Sequence, residues 1–342
     1  MCQEDGTPLE QVAVEPDWEP AHECVRLAAL EAGLPPDEAF RLAPDVEPIW
    51  SEERGLPYLD GCRIRSRAGP PAALEVGVRY FARAAREAAS GLVDQGRLAT
   101  GDRFLYRLLG FQAEPRPAPA GPCHRARAGV TRISVQAGSL GPLLQRASAE
   151  TSEGAEADLP AFVPAPVLDE MAWHTGENAG RETGGILAGY LRRDGERARL
   201  FLEVTAQIPA PHTESDQSKL TFTADTWTEV RSVLELRRRR ELMLGWWHSH
   251  PVREWCKQCP EERQRVCALA DGFLSDHDRL LHRAVFPRAF TLALVVSDVA
   301  FGSPRVAAFG WRSGMLERRG FHRLPAERSA PSAPSTAEAT VA

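Results

Sequence analysis

The segment LGWWHSHP, residues 244–251, narrows what this chain can fold into more than any other stretch of its length. It begins with residues apolar enough for the inside of a sheet and closes on two histidines one residue apart, then a proline. Side chains alternate along a strand, so His248 and His250 project to one face and Ser249 to the other. Pro251 has no N–H to offer a ladder, so the strand must stop there. Two neutral imidazoles side by side at a strand tip suit the holding of a metal ion. A pair is not a complete site, and the rest of the chain has to supply the remaining ligands.

The 342 residues leave room for two ordinary domains or one large one, and 43% apolar residues supply a core. No apolar run is long enough to span a bilayer. The opening stretch MCQEDGTPLEQVAVEPDWEP is acidic and lacks the basic start and apolar block of a secretory signal. The expectation is therefore a cytoplasmic protein that engages no membrane. Its seven cysteines would be reduced, and clusters among them point to metal rather than disulfides. A net charge of −6 argues against a nucleic-acid partner, which would call for a basic face. The block RRRR at 237–240 reads as the solvated end of a charged helix. Lysine is nearly absent: Lys219 and Lys257 stand against 39 arginines. A GC-rich genome explains that bias, and avoidance of self-modification in a lysine-conjugating pathway is the sharper alternative.

Residues 1–113 read as a mainly helical N-terminal domain of unknown role. The spacing of Leu74, Val78, Phe81, Ala82 and Ala85 predicts a helix over 72–93, a second is expected over 21–34, and 102–111 is a candidate third. Residues 114–160 read as a Pro/Ala-rich and acidic linker region with a strand at 130–136. Residues 161–323 read as one α/β domain. Helices are expected at 165–178, 223–240 and near 276–284. Strands are expected at 184–191, 198–208, 241–250, 290–298 and 305–312, the last of the series. Such a mixture implies a sheet with helices packed on it. Residues 324–342 have almost nothing to bury and are expected to be disordered.

Downstream of the histidines lies FLSDHDRLLHR, 273–283. Ser275 followed three residues later by Asp278 matches a helix capping box, which is its plain structural meaning. Beside a histidine pair the same carboxylate, in the first turn of a helix facing the strand tip, also completes a three-ligand zinc site with one open position. Taken with Glu182 in RETGGILAGYL, and with the order Glu, then HSHP, then SDHD, then ALVVSD, the chain resembles the JAMM (MPN-plus) metalloprotease family over 161–323. The resemblance implies a mixed β-sheet flanked by helices, of the cytidine-deaminase-like kind, with Zn2+ held by His248, His250 and Asp278. It implies a water in the fourth position, Glu182 as its general base, and Ser275 as a hydrogen-bond donor to the oxyanion. It also implies hydrolysis of the bond after a ubiquitin-like protein's C-terminus, as deconjugation or as precursor processing. The partners would then be that modifier or its conjugates, with the activating and conjugating enzymes of its pathway. A sulfur-carrier protein is an alternative substrate, and a non-catalytic scaffold of the same fold is an alternative function, disfavoured because every ligand is present.

One departure stands out. The gap from the second histidine to the serine is short in that family, whereas here 24 residues, 251–274, intervene. They contain Cys256 and Cys259 at zinc-knuckle spacing, with Cys267 as a third thiol. A second, structural zinc is expected there, with His282 or His277 as the nearest candidates for a fourth ligand. The plainer alternative is three unligated cysteines in a reducing cell.

Overall fold

The computed structural model describes residues 1–4, 6–53, 56–67, 70–110, 133–150, 158–178, 180–210, 213–216, 219–299 and 303–326. The chain opens with β1 (Cys2–Gln3), α1 (Glu19–Glu31) and α2 (Pro36–Ala39), followed by β2 (Asp45–Glu53), β3 (Leu56–Arg65) and β4 (Ala73–Gly77). Then come α3 (Ala82–Asp94) and β5 (Phe104–Leu105). Strands β2, β3 and β4 form an antiparallel sheet, and α1 packs on it through Ala21, Val25 and Ala29 against Cys62, Ile64 and Val76.

This N-terminal part is a mixed α/β unit, not the mainly helical one its composition predicts. The segment 72–77 alternates, with Leu74 and Val76 inward and Ala73, Glu75 and Gly77 exposed, and pairing with β3 overrides the helix propensity of its Ala, Leu and Glu. The expected helix over 72–93 therefore begins only after a 3₁₀ turn at Val78–Phe81. The candidate helix at 102–111 is instead extended: Phe104 and Leu105 pair with Gln3 and Cys2, and Leu108 bridges Leu59.

The next elements are β6 (Val135–Ala137), α4 (Leu140–Arg146), β7 (Ser148–Glu150), β8 (Ala161–Pro164), α5 (Ala165–Glu177), β9 (Gly184–Asp194) and β10 (Arg199–Pro209). Of the strand expected at 130–136, residues 130–132 fall outside the described ones, and the strand itself lies at 135–137. Residues 133–150 do not behave as a linker, because β6 pairs with β9, β7 pairs further along the same sheet, and Leu140 packs on Phe162 and Phe201. Residues 114–132 and 151–157 of the expected linker, and all but the first residues of the expected disordered tail, lie outside the described residues.

The chain continues through β11 (Thr213–Asp216), β12 (Lys219–Phe222), α6 (Ala224–Arg237), β13 (Leu242–His250), α7 (Val252–Trp255), α8 (Glu261–Arg265) and α9 (Asp276–Val285). It closes with β14 (Leu292–Ser297), β15 (Arg305–Arg312), β16 (Met315–Arg319) and β17 (Phe321–Leu324), so 305–312 is not the last strand. Helix α6 stops at Arg237 because Arg238 and Arg240 adopt left-handed backbone, which makes most of the RRRR block a helix terminus.

The described strands assemble a ten-stranded mixed sheet in the order β16-β15-β14-β13-β9-β10-β8-β17-β7, with β6 beside β9. One face buries Leu187, Leu191, Leu244, Trp247, Leu292 and Leu294 under α5. The other buries Ile186, Trp246, Ala293, Val295 and Phe309 under α6 and the elements around α9. Strand β13 is central, antiparallel to β9 and parallel to β14. A parallel neighbour requires a crossover, and the one from β13 to β14 carries α9. That connection returns the first turn of α9 to the tip of β13, which is what positions the site. No helix among the described residues is long and apolar enough to cross a membrane.

Candidate metal centre

His248 and His250 sit at the end of β13, where burial is complete. Their Nε2 atoms face each other at 3.1 Å, and His248 Nε2 lies 3.7 Å from Asp278 Oδ2. One ligand atom from each of His248, His250 and Asp278 falls within 4.8 Å of the others. Two imidazole nitrogens and a carboxylate oxygen converging in a water-poor pocket are the donor set of a three-ligand zinc site. Without a cation the arrangement is costly: burial lowers the pKa of His248, and burial followed by the neighbouring His248 lowers that of His250 to about 3. Both rings are thereby kept neutral, the form that ligates. These three residues fit a zinc ion in donor type and spacing.

Asp278 reaches the site because α9 starts with a complete capping box. The Asp278 amide donates to Ser275 Oγ at 3.2 Å, and the Ser275 amide donates to Asp278 Oδ2 at 2.8 Å. The Ser275 hydroxyl also donates to Oδ2, at 2.7 Å. The capping box and the ligand are thus one device: the same bonds that satisfy the helix terminus fix the carboxylate's rotamer. Any donation by Ser275 to a substrate oxygen requires its hydroxyl to turn away from Asp278.

Glu182 lies just before β9. In the β13–β9 ladder, Trp247 pairs with Gly185 and His248 with Gly184. The Ser249 amide donates to Thr183 O at 2.7 Å, and the Thr183 amide donates to Ser249 Oγ at 2.9 Å. Carried one residue further, that register sets Glu182 opposite His250, on the histidine face. Gly184 puts no side chain between them. Gly185 permits close approach of the next strand, since a Cβ there would lie 2.4 Å from Ile208 O. Glu182 is only 5% exposed, and burial, reinforced by the charge of Asp278, pushes its carboxyl up to about 8. Such a group can take up and release a proton near neutrality.

The walls are aromatic. Trp246 stacks on His248 with ring centroids 4.7 Å apart, and Trp255 and Phe273 lie 5.1 and 4.5 Å from His250. His282 commits both ring nitrogens to partners under the sheet. Its Nδ1 accepts from Trp246 Nε1 at 3.1 Å and its Nε2 meets Thr291 Oγ1 at 3.3 Å, so its role as a fourth ligand of a cysteine site is excluded by its position under the sheet. Burial pushes it down to about 3, leaving a neutral ring that fixes Trp246. His277, the other candidate, is half-buried in the first turn of α9, with a buried Nε2 that meets no polar partner. Among the thiols, Cys256 Sγ and Cys267 Sγ are 3.3 Å apart.

Trp255, Phe273 and Ser297 are site residues that sequence reasoning did not single out. Ser297 pairs with His250 across the parallel ladder, and its Oγ is buried without a partner, as are Nδ1 of His248 and His250. Ser297 Oγ thus borders the histidine face without a protein partner. Only the β13–β14 register could have revealed it.

Residues 164–254 match the family model for prokaryotic homologs of the JAB domain. The matched segment includes Glu182, His248 and His250 but ends before Ser275 and Asp278, whose place rests on geometry. Among solved structures, the chain is similar to protein DSY2949 from Desulfitobacterium hafniense, determined in solution. The two are 21% identical, the alignment covers 48% of this chain and 93% of that one, and the TM-score is 0.33. No curated protein matches. With a histidine pair, a carboxylate and a mixed sheet in place, the match over 164–254 supports the JAB/MPN family for this part of the chain.

Proposed function

We propose that the protein is a zinc-dependent peptidase of the JAMM type, cleaving the bond after the C-terminus of a ubiquitin-like protein, either from a lysine conjugate or from a precursor. The observation that carries this reading is the buried group of His248, His250 and Asp278 with the buried carboxyl of Glu182 set across from His250. His248 Nε2, His250 Nε2 and an Asp278 oxygen would hold the metal. Zinc in such a site supplies Lewis acidity, lowering the pKa of water from about 15.7 to about 7 and polarising a carbonyl. Glu182, with its raised pKa, accepts the proton of the attacking water and hands it to the leaving amine, which must depart neutral. Ser275 rotates from Asp278 to donate to the developing oxyanion. Trp246, Trp255 and Phe273 exclude bulk water, which strengthens each of these interactions.

A protein substrate, with the activating and conjugating enzymes of its pathway as further partners, is favoured by the size of the N-terminal unit and of the 251–274 excursion, which give a surface wider than a small molecule needs. The test is cleavage of a fusion in which a ubiquitin-like protein precedes a peptide. Glu182→Gln is expected to keep its zinc and lose at least about 10²-fold in turnover, the lower bound for general acid–base catalysis. His248→Ala is expected to lose the ion of this site together with activity. Retention of parental turnover by Glu182→Gln would overturn the assigned mechanism, and zinc content unchanged in His248→Ala would remove the site.

A further inference from the structure

Between the tip of β13 and α9 the chain makes its 24-residue excursion, 251–274, and this segment has little to hold it. Its regular structure is α7 with four residues, α8 with five and a 3₁₀ turn at Ala268–Asp271. Val266 is 81% exposed. Its own apolar cluster is Val252, Cys256, Ala270 and Val299, with Trp255, Cys259 and Cys267 packed alongside. Three of those seven side chains are cysteines. A cluster this small cannot offset the ordering of so many residues, and segments in that position are ordinarily stapled by a disulfide or a metal.

The thiols are placed for a staple. Cys256 is buried, and its sulfur lies 3.3 Å from that of Cys267. A disulfide would need about 2.05 Å, whereas two thiolates on one tetrahedral zinc, each bonded at about 2.3 Å, stand about 3.8 Å apart. Cys259 packs beside both in the same small cluster. The Cys259 amide donates to Cys256 O at 2.8 Å, folding the C-x-x-C into a tight turn, and Gln264 Nε2 donates to Cys259 O at 2.8 Å, tying α8 to that turn. Among the described residues the group gathered within 4.8 Å is His248, His250 and Asp278, so the three sulfurs are gathered less closely than the ligand atoms of that centre.

We propose that Cys256, Cys259 and Cys267 bind a second, thiophilic divalent cation of the zinc class, distinct from any ion at His248, His250 and Asp278. This ion closes the base of the excursion. Trp255, next to Cys256, and Phe273, six residues beyond Cys267, are thereby fixed against His250.

The test uses the full chain, purified under reducing conditions. Metal analysis is expected to give two zinc ions per chain, falling to one in Cys256→Ser/Cys259→Ser. Loading with cobalt(II) should produce a thiolate-to-metal charge-transfer band in the near ultraviolet that the double variant loses. His248→Ala should also fall to one ion yet keep that band, so failure of the histidine centre and failure of the thiol centre give different results. If the double variant does not fold, titration of the parent with an organomercurial reads the same point, with one zinc released in step with three thiols. A parent without the charge-transfer band, or thiols that react without releasing metal, would overturn the proposal. So would an intact mass two hydrogens lighter with Cys256 and Cys267 linked.

Discussion

Glu182 is a carboxyl placed where its charge is poorly solvated and where Asp278 repels it, and this has a consequence for stability. In metal-free protein the folded state holds the Glu182 proton up to about 8, while the ordinary value is 4.5. Between those values the folded chain binds more protons than the unfolded chain, so stability falls as pH rises through that window and the loss is constant above it. Glu182→Gln removes the effect. Chelator-treated Glu182→Gln should melt above the parent at pH values past about 8, with the gap closing below about 4.5. A melting difference that does not vary with pH would show that the carboxyl is not buried beside Asp278. The histidine pair was legible because alternation alone puts His248 and His250 on one face. The capping box was legible because its spacing is local. Ser297 was not, because which residue of β14 stands beside His250 is fixed by pairing between residues 47 positions apart in sequence.

At the scale of elements, β13 is central only because it tolerates two close neighbours. Gly245 adopts φ +151°, at an irregularity in the β13–β9 register between Met243 and Gly245. A Cβ there would lie 1.8 Å from the Leu292 carbonyl oxygen on β14. Gly245→Ala is therefore expected to destabilise the fold by about 2–4 kcal/mol, combining backbone strain with forced separation of β13 and β14. Urea unfolding of parent and variant measures it, and a change under about 0.5 kcal/mol, the range of an ordinary surface substitution, would contradict the packing described. The strands β9, β10, β13, β14 and β15 were readable as apolar, β-branched runs bounded by Gly, Pro or charge. The segment 72–77 was not, since Ala, Leu and Glu favour a helix in isolation and only β3 makes them extended. Very short strands such as β1 and β5 carry no periodic signal and exist through their partners.

In the whole molecule, the N-terminal unit is docked rather than tethered. Arg193 of β9 donates to the carbonyls of Leu30 and Glu31 at 3.1 and 2.9 Å, a cation closing the C-terminus of α1. Leu30 and Ala39 join the core under one face of the large sheet. Glu23, 1% exposed, is held by Arg26 and by Arg288 of the large sheet's domain, each at 2.8 Å. Glu23→Ala would leave two partly buried guanidinium groups without that carboxylate. The expected loss is about 3 kcal/mol, the low end for a broken buried pair because Arg288 stays partly solvated. Docking through two cores also predicts one unfolding transition for both parts. A calorimetric trace in which Glu23→Ala lowers an early N-terminal transition alone would show that the two parts unfold independently.

What the sequence determined by itself is the local chemistry: a same-face imidazole pair ended by a proline, a carboxylate three residues into a capped helix, and a glutamate ahead of two glycines. Each of these is written within a few residues, where backbone periodicity leaves little choice. Only the tertiary structure decided which of them meet. The parallel crossover from β13 to β14 returned Asp278 to the histidines, the β9 register set Glu182 opposite His250, and the same packing committed His282 to the indole of Trp246. Those outcomes depend on long-range pairing and on the filling of two cores, which no local pattern encodes.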